Sequence, residues 1–381
     1  MRIGIVCYPT FGGSGVVATE LGKELALEGH DVHFITYDFP VRYDHFMSNL
    51  HYHEVRVSDY PLFDYQPYEL VLASRMVDVV KHEKLDLLHV HYAIPHASAA
   101  YMAREILRSQ GIEIPFITTL HGTDITLVGK DASFEPVITF AINQSNAVTA
   151  VSENLKQDTL EHFGVNREIE VIPNFIDISR YEGCSTEGVL KTFAPNGEKI
   201  LFHASNFRPV KRVEDVLKVF SLVNEKIPCK LLLAGDGPER PKIEALCRKL
   251  GTCQDVHFLG KLKHIEEVYS VADAFLLTSE TESFGLAALE AMASKVPVIS
   301  SNTGGIPEVN IHGKTGFLSN VGDVEDMAKN TLKLLENREM MELFKEQAFQ
   351  RAKDFSKQSI IPIYEKLYER VIVEASTRKP I

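Results

Sequence analysis

Short runs of apolar, often β-branched residues alternate along this chain with longer segments whose apolar positions recur at helical spacing. Arg2 to Tyr8 is the first such run, and Val16 to Glu28, closed by Gly29, is the first helical segment. Asp31 to Tyr37, Asp86 to His91, Phe116 to Leu120 and Ala147 to Ala150 read as further buried strands, each followed by a polar loop and a helix. Apolar strands separated by helix-length crossovers predict parallel sheets, covered on both faces and joined by right-handed connections.

The pattern loosens near Val171 to Asp177. Gly183 to Gly197, rich in Gly, Ser, Thr, Pro and Asn with little periodicity, reads as a linker. A second series follows, with strands at Lys199 to His203, Lys230 to Ala234, Val256 to Leu259, Ala274 to Leu277 and Val296 to Ser300. Helices are expected at Val213 to Asn224, Pro238 to Leu250, Ile265 to Val271, Gly285 to Ala293 and Val324 to Glu336. The expected fold is α/β: two doubly wound, Rossmann-like domains facing each other across a cleft. Their bounds are 1–172 and 173–359, with a C-terminal helix in 360–381 packing back on the first.

A chain of 381 residues is long enough for two cores. Its formal net charge of −12 argues against nucleic acid as a partner, because a phosphate backbone would be repelled. An anionic ligand must then be met by a local concentration of donors. No apolar run approaches the roughly 18 residues of a membrane span. The opening Met-Arg-Ile-Gly-Ile-Val-Cys reads as a first strand rather than a signal peptide, so a cytoplasmic location is expected. Five scattered cysteines without CxxC spacing read as reduced thiols.

The most informative stretch is Glu282-Ser-Phe-Gly-Leu-Ala-Ala-Leu-Glu290. A strand, a polar loop and a helix opening at Gly285 place unpaired amides at a sheet's carboxyl end, where the helix dipole favours phosphate. Glu282 in the loop and Glu290 in the helix would be repelled by that phosphate unless they bind something neutral, such as sugar and ribose hydroxyls. Arg208 and Lys211 lie three apart in the loop after the first strand of the second domain. They read as diphosphate ligands, since preorganised cations stabilise a leaving diphosphate. Gly235 and Gly237, before Pro238, repeat the strand–glycine–helix theme. Leu259 and Gly260 mark a strand end whose backbone suits a flat base.

In the first domain Gly12-Gly13-Ser14-Gly15 departs from the GxGxxG fingerprint, yet it permits close approach of a phosphate or a carboxylate. His89-Val-His91-Tyr92 and His121-Gly-Thr-Asp124 put histidines just past buried strands. His89 and His91 share one strand face without a carboxylate partner in the pattern, so no metal site is expected. Thr303-Gly-Gly305-Ile-Pro-Glu308 marks one more strand-end turn.

Taken in order, GGSG, HGTD, AVSE, IPNFID, RPVK, AGDGPE, the two glutamates and TGGIPE resemble the retaining glycosyltransferases of family 4, which have the GT-B fold. The resemblance covers nearly the whole chain. It implies an acceptor-binding first domain and a nucleotide-sugar-binding second domain. It implies Arg208 and Lys211 as diphosphate ligands, Glu290 as the ribose ligand, and Glu282, with the Phe284 and Gly285 amides, as the holder of the donor sugar. His121 corresponds to the family's histidine near the transferred sugar. The expected catalytic set is therefore His121, Arg208, Lys211 and Glu282. Gly13, Asn206, Gly235, Leu259, Ser283, Phe284, Gly285, Leu286 and Glu290 complete the donor site. One departure is Asn206, which stands five before Lys211, where many members carry arginine.

CYPTFGGSGVVATELGKELALEGHDVHFI, HVHYAIPHA and TTLHGTDITLVG more narrowly resemble members that act in bacillithiol biosynthesis. That resemblance implies UDP-N-acetylglucosamine as donor and L-malate as acceptor. A small dianion suits the amides and hydroxyls of Gly13, Ser14, Tyr92, Thr118 and His121. No cofactor and no metal are expected, the cations taking the metal's place, and a homo-oligomer is compatible with the chain. The alternatives are another small acceptor, a UDP-N-acetylglucosamine 2-epimerase, and a non-catalytic sugar-nucleotide sensor.

Overall fold

The computed structural model describes residues 1–10, 12–57, 66–127 and 131–377. Phe11, Val128, Gly129 and the last four residues of the expected C-terminal segment, 378–381, lie outside the described residues. The chain divides into two compact units: Met1–Asn174 with Lys357–Ile381, and Phe175–Ser356.

The first unit holds β1 (Arg2–Val6), β2 (Asp31–Thr36), β3 (Leu50–Glu54), β4 (Leu87–His91), β5 (Phe116–Leu120), β6 (Ala147–Ala150) and β7 (Ile169–Val171). They form one parallel sheet in the order β3-β2-β1-β4-β5-β6-β7. Chain direction across the sheet reverses between β1 and β4. In open α/β sheets, such a switch point is where the crevice for a ligand lies. The β4 and β5 residues are all buried, as strands covered on both faces require. Val6, Leu72, Met76, Leu88, Val90 and Phe116 belong to one core cluster on this sheet.

The second unit holds β8 (Lys199–Ala204), β9 (Cys229–Ala234), β10 (Val256–Gly260), β11 (Ala274–Leu277), β12 (Val298–Ser301) and β13 (Gly316–Ser319). The order is β10-β9-β8-β11-β12-β13, again all parallel, with the switch between β8 and β11. β8 pairs with β9 along its full length, but with β11 only at Leu201 and Phe202. The ends of β8 and β11 therefore run on beyond their shared ladder. His203 bridges them: its Nδ1–H donates to Leu276 O at 2.8 Å, and its Nε2 faces Ser205 Oγ at 2.8 Å. Burial pushes this imidazole down to about 4, so it is neutral at pH 7.

Three expectations change. Gly183 to Gly197 is no linker: it lies inside the second unit and carries a helix at Glu187–Phe193, while the division falls at Asn174–Phe175. β3, β7 and β13 lacked a clear signal because they are short, and β3, Leu-His-Tyr-His-Glu, has only one fully buried residue. The C-terminal helix is longer than its apolar pattern, running Lys357–Thr377. It buries Ile360, Ile361, Tyr364, Leu367, Tyr368 and Val371 within the first unit, and the Tyr368 hydroxyl meets His89 Nδ1 at 2.7 Å. Lys357 and Glu24 form an ion pair at 3.0 Å.

Candidate active site

In the second unit the loops after β8 and β11 come together. Arg208 opens a 3-10 turn, Pro209–Lys211, that leads into the helix Val213–Asn224. Two non-glycine residues in the left-handed region bracket it, Phe207 at φ 33 and Arg212 at φ 46. Such backbone persists where surroundings hold it. Phe207 is wholly buried, and Arg212 is tied to Asp215 through Nε at 2.7 Å. The turn is pinned to the β11 loop from both sides. Glu280 N donates to Val210 O at 2.8 Å, and the Thr278 hydroxyl donates to Lys211 O and Arg212 O, each at 3.0 Å.

Lys211 Nζ reaches Glu282 Oε2 at 2.5 Å, with side chains 20% and 18% exposed. The Ser279 hydroxyl lies 3.4 Å from the same oxygen. Arg208 and Asn206 are exposed, and Arg208 makes no ion pair with a described residue. Two cations and a carboxylate, Arg208, Lys211 and Glu282, thus stand on adjoining loops at one switch point. Gly285, at φ 96, precedes the helix Leu286–Ala293, whose first amides no side chain caps. Phe284 is buried against Phe355, which holds the loop while Ser283 and Leu286 stay partly exposed. Glu290, in the same helix, accepts the Tyr269 hydroxyl at Oε2, 3.1 Å away.

Two pairs of glycines support these loops from beneath. A Cβ on Gly304, at φ 55, would stand 2.0 Å from Glu282 O, and one on Gly305 would stand 2.3 Å from Ser283 O. Gly305 N also donates to Glu282 O at 2.8 Å. A Cβ on Gly235 would lie 1.8 Å from Ser205 O, and one on Gly237 would lie 2.1 Å from Asn206 O. TGGIPE and AGDGPE therefore hold other loops in place. Gly235, expected in the donor site, gives its amide to Gly260 O at 2.7 Å, and Leu259 beside it is partly exposed.

In the first unit Gly13 and Ser14 open the helix Gly13–Leu27 after β1. The Ser14 hydroxyl meets the Tyr92 hydroxyl at 2.7 Å, across the switch point from the end of β4. Tyr92 is left-handed at φ 91, and its ring lies 5.4 Å from that of His121. Asp124 is 2% exposed and shapes the turn between: it accepts Ala93 N at 2.9 Å and Gly122 N at 3.0 Å. Burial pushes its carboxyl up to about 6 despite those amides.

His121 Nε2 lies 2.8 Å from His91 Nδ1. Behind them His89 Nε2 meets the Thr119 hydroxyl at 2.7 Å, and His96 Nδ1 donates to His91 O. Burial pushes His89 and His121 down to about 3 and His96 to about 4, and takes His91 well below the usual imidazole range. All four are neutral at pH 7. Thr118 does not join them. It is fully buried and its hydroxyl is spent on Ser145 Oγ at 2.8 Å, because alternate residues of β5 face opposite sides of the sheet. Sequence reasoning assigned no role to Tyr269, Asp124 or the His91–His121 contact. Asp124 lay within HGTD, whereas nothing near Tyr269 marked it.

Comparison with known proteins adds what geometry alone does not. Residues 11–180 match Glycosyltransferase Family 4, and residues 190–351 match Glycosyl transferases group 1. The chain is 46% identical to the N-acetyl-alpha-D-glucosaminyl L-malate synthase of Bacillus anthracis, over 98% of this chain and 97% of that protein. The chain belongs to the family 4 glycosyltransferases. It is 28% identical to an uncharacterized glycosyltransferase of Methanocaldococcus jannaschii, over 83% of this chain and 84% of the relative. Among solved structures, the sucrose-phosphate synthase of Thermosynechococcus elongatus matches with a TM-score of 0.82 at 20% identity, covering 98% of this chain and all of that one. Anabaena HepE, solved with UDP and glucose, matches with a TM-score of 0.80 at 19% identity, covering 97% and 99%. The expectation of a GT-B glycosyltransferase is met. No described helix is long and apolar enough to cross a membrane.

Proposed function

We propose that this glycosyltransferase moves N-acetylglucosamine from UDP-N-acetylglucosamine to the hydroxyl of L-malate, with retention at the anomeric carbon. One observation carries the choice of substrates: the 46% identity to a relative named for that product extends over both units, not over the donor half alone. The geometry is in keeping with it. Arg208 and Lys211 are a cationic pair for the diphosphate, and the uncapped start of Leu286–Ala293 adds main-chain donors. Glu282 accepts hydroxyls of the transferred sugar, and Glu290, oriented by Tyr269, accepts those of the ribose.

Ser14 and Tyr92 offer paired hydroxyls, and the helix start at Gly13 offers amides, to the carboxylates of the acceptor. Tyr92 and Ser14 already bond each other, so an arriving carboxylate finds both hydroxyls oriented. The acceptor hydroxyl attacks the face that the diphosphate leaves, and a departing phosphate oxygen takes its proton. Glu282 is engaged by Lys211 and Ser279, which suits sugar binding better than the nucleophilic role of a double displacement.

The test is UDP release from the full chain with UDP-N-acetylglucosamine and a panel of small hydroxy acids. Malate should support release and yield an α-linked product. Release with another acid only, or conversion of the donor to an isomer with no acceptor present, overturns the reading. Because cations stand where many transferases hold a divalent metal, activity should survive EDTA. Complete loss restored by Mg²⁺ would refute that part.

A further inference from the structure

We propose that His91 is a positioning residue for the transfer reaction: it donates its Nδ1–H to His121 Nε2 and so fixes His121 as the Nδ1–H tautomer. The inference rests on the reading of His121 as the histidine beside the transferred sugar. It starts from a ring-to-ring contact of 2.8 Å between two neutral imidazoles, each with one proton to place. Either His91 Nδ1 donates, or it accepts from His121 Nε2–H.

The far side of the His91 ring decides. His91 is fully buried, and its Nε2 has no hydrogen-bond partner among the described residues. If Nδ1 accepted, the ring's proton would sit on that Nε2 as a buried N–H with nothing to receive it. If Nδ1 donates, Nε2 is only a bare lone pair. Orphaned buried N–H groups are the rarer of the two. His96 follows the same rule: its Nδ1 faces a carbonyl, which can only accept, and its buried Nε2 is left as a lone pair. His96 Nε2 carries no proton and has no hydrogen-bond partner among the described residues, so it does not settle the His91 ring.

The consequence is chemical. With Nε2 accepting from His91, the only proton on the His121 ring is at Nδ1. His121 then meets the sugar as a hydrogen-bond donor, suited to a hydroxyl or carbonyl oxygen. Burial keeps it neutral, so it offers this bond without a positive charge of its own.

The test is ¹⁵N NMR of the full chain with labelled histidine, the His121 signals being identified by their loss in His121→Ala. The wild type should show Nδ1 protonated and Nε2 bare. His91→Leu should lose that fixed tautomer and lower kcat by about 10- to 100-fold, with the affinity for UDP unchanged. His91→Asn should restore both, because its amide N–H stands where the Nδ1–H stood. A proton on His121 Nε2 in the wild type overturns the proposal, and this measurement needs no variant to fold. So does a His91→Leu enzyme that loses kcat with the tautomer unmoved, or an Asn variant as poor as the Leu one. If His121→Ala turns over normally while the tautomer is as stated, the sugar reading falls, and the role of His91 in the reaction falls with it.

Discussion

Lys211 and Glu282 form an ion pair four-fifths hidden from water, on loops that follow different strands. An ammonium there is held in place before any diphosphate arrives, so little is lost in ordering it when charge develops on the leaving group. Lys211→Ala should cut turnover by roughly 10²- to 10³-fold, the scale for removing one preorganised donor. Circular dichroism and the melting temperature should stay close to wild type. A variant that is unstable yet fully active would mean the lysine is only a strut. Glu290 accepts the Tyr269 hydroxyl at 3.1 Å, and its proposed work lies in the ground state. Glu290→Ala should therefore weaken UDP binding by about tenfold, a charge-assisted hydrogen bond's worth, as read by calorimetry. An unchanged Kd would count against the ribose role. The types and spacing of these residues were legible in the chain. The partner of Glu290 was not, because Tyr269 lies in a four-residue helix, Glu266–Tyr269, that packs on Glu290's helix without any local pattern saying so.

At the scale of elements, loops at a switch point keep their shape because other loops lie directly under them. Gly304 shows how little room there is. A methyl group would stand 2.0 Å from Glu282 O, in backbone already at φ 55. Gly304→Ala should displace the Glu282 loop and raise the KM for the sugar nucleotide about tenfold or more, because misplacing a binding group by about 1 Å costs that much or more. Gly313→Ala is the control. Its φ of 73 is equally strained, but a Cβ there meets nothing within 4 Å, so stability should drop by about 1 kcal/mol with KM unchanged. Equal KM values for both variants would remove the supporting role. Read from the chain, TGGIPE and AGDGPE were ligand loops or plain turns. The structure makes them supports, a relation between segments about 20 to 30 residues apart that composition does not encode. AVSE likewise proves local: the Ser152 hydroxyl caps the helix Glu153–His162 by accepting Leu155 N at 3.1 Å.

For the molecule as a whole, the neutral histidines couple folding to pH. His89, His96 and His121, held at about 3, 4 and 3, would titrate at 6.5 when unfolded, and burial also takes His91 well below the usual imidazole range. Between those values the unfolded chain binds more protons than the folded one. Stability is therefore present above pH 6.5 and lost as pH falls towards 4, by about 1.4 kcal/mol per pH unit for each such proton. His203, at about 4, adds the same sign in the second unit. Asp124, raised to about 6 from 3.8, works oppositely, since it takes up a proton on folding below pH 6, but it is one group against several. The urea midpoint should fall progressively from pH 7 to pH 5. A flat profile would mean these imidazoles are not buried neutral.

The alternation of short apolar runs with helical segments was enough to announce two parallel-sheet units, since strands buried on both faces must be continuously apolar and helices must carry a stripe. The order of the glycine-rich and charged motifs was enough to carry the resemblance to the family 4 glycosyltransferases, although TGGIPE, AGDGPE and AVSE hold neighbouring backbone in place. Tertiary structure alone decided which groups meet. Thr118 turned inward to Ser145, Gly235 gave its amide to Gly260, Lys211 found Glu282, and His91 found His121. Each is a contact between distant segments of the chain. Its direction depends on which face of a strand a side chain takes and on how far neighbouring strands run past their shared ladder, and neither quantity is written in any local stretch of residues.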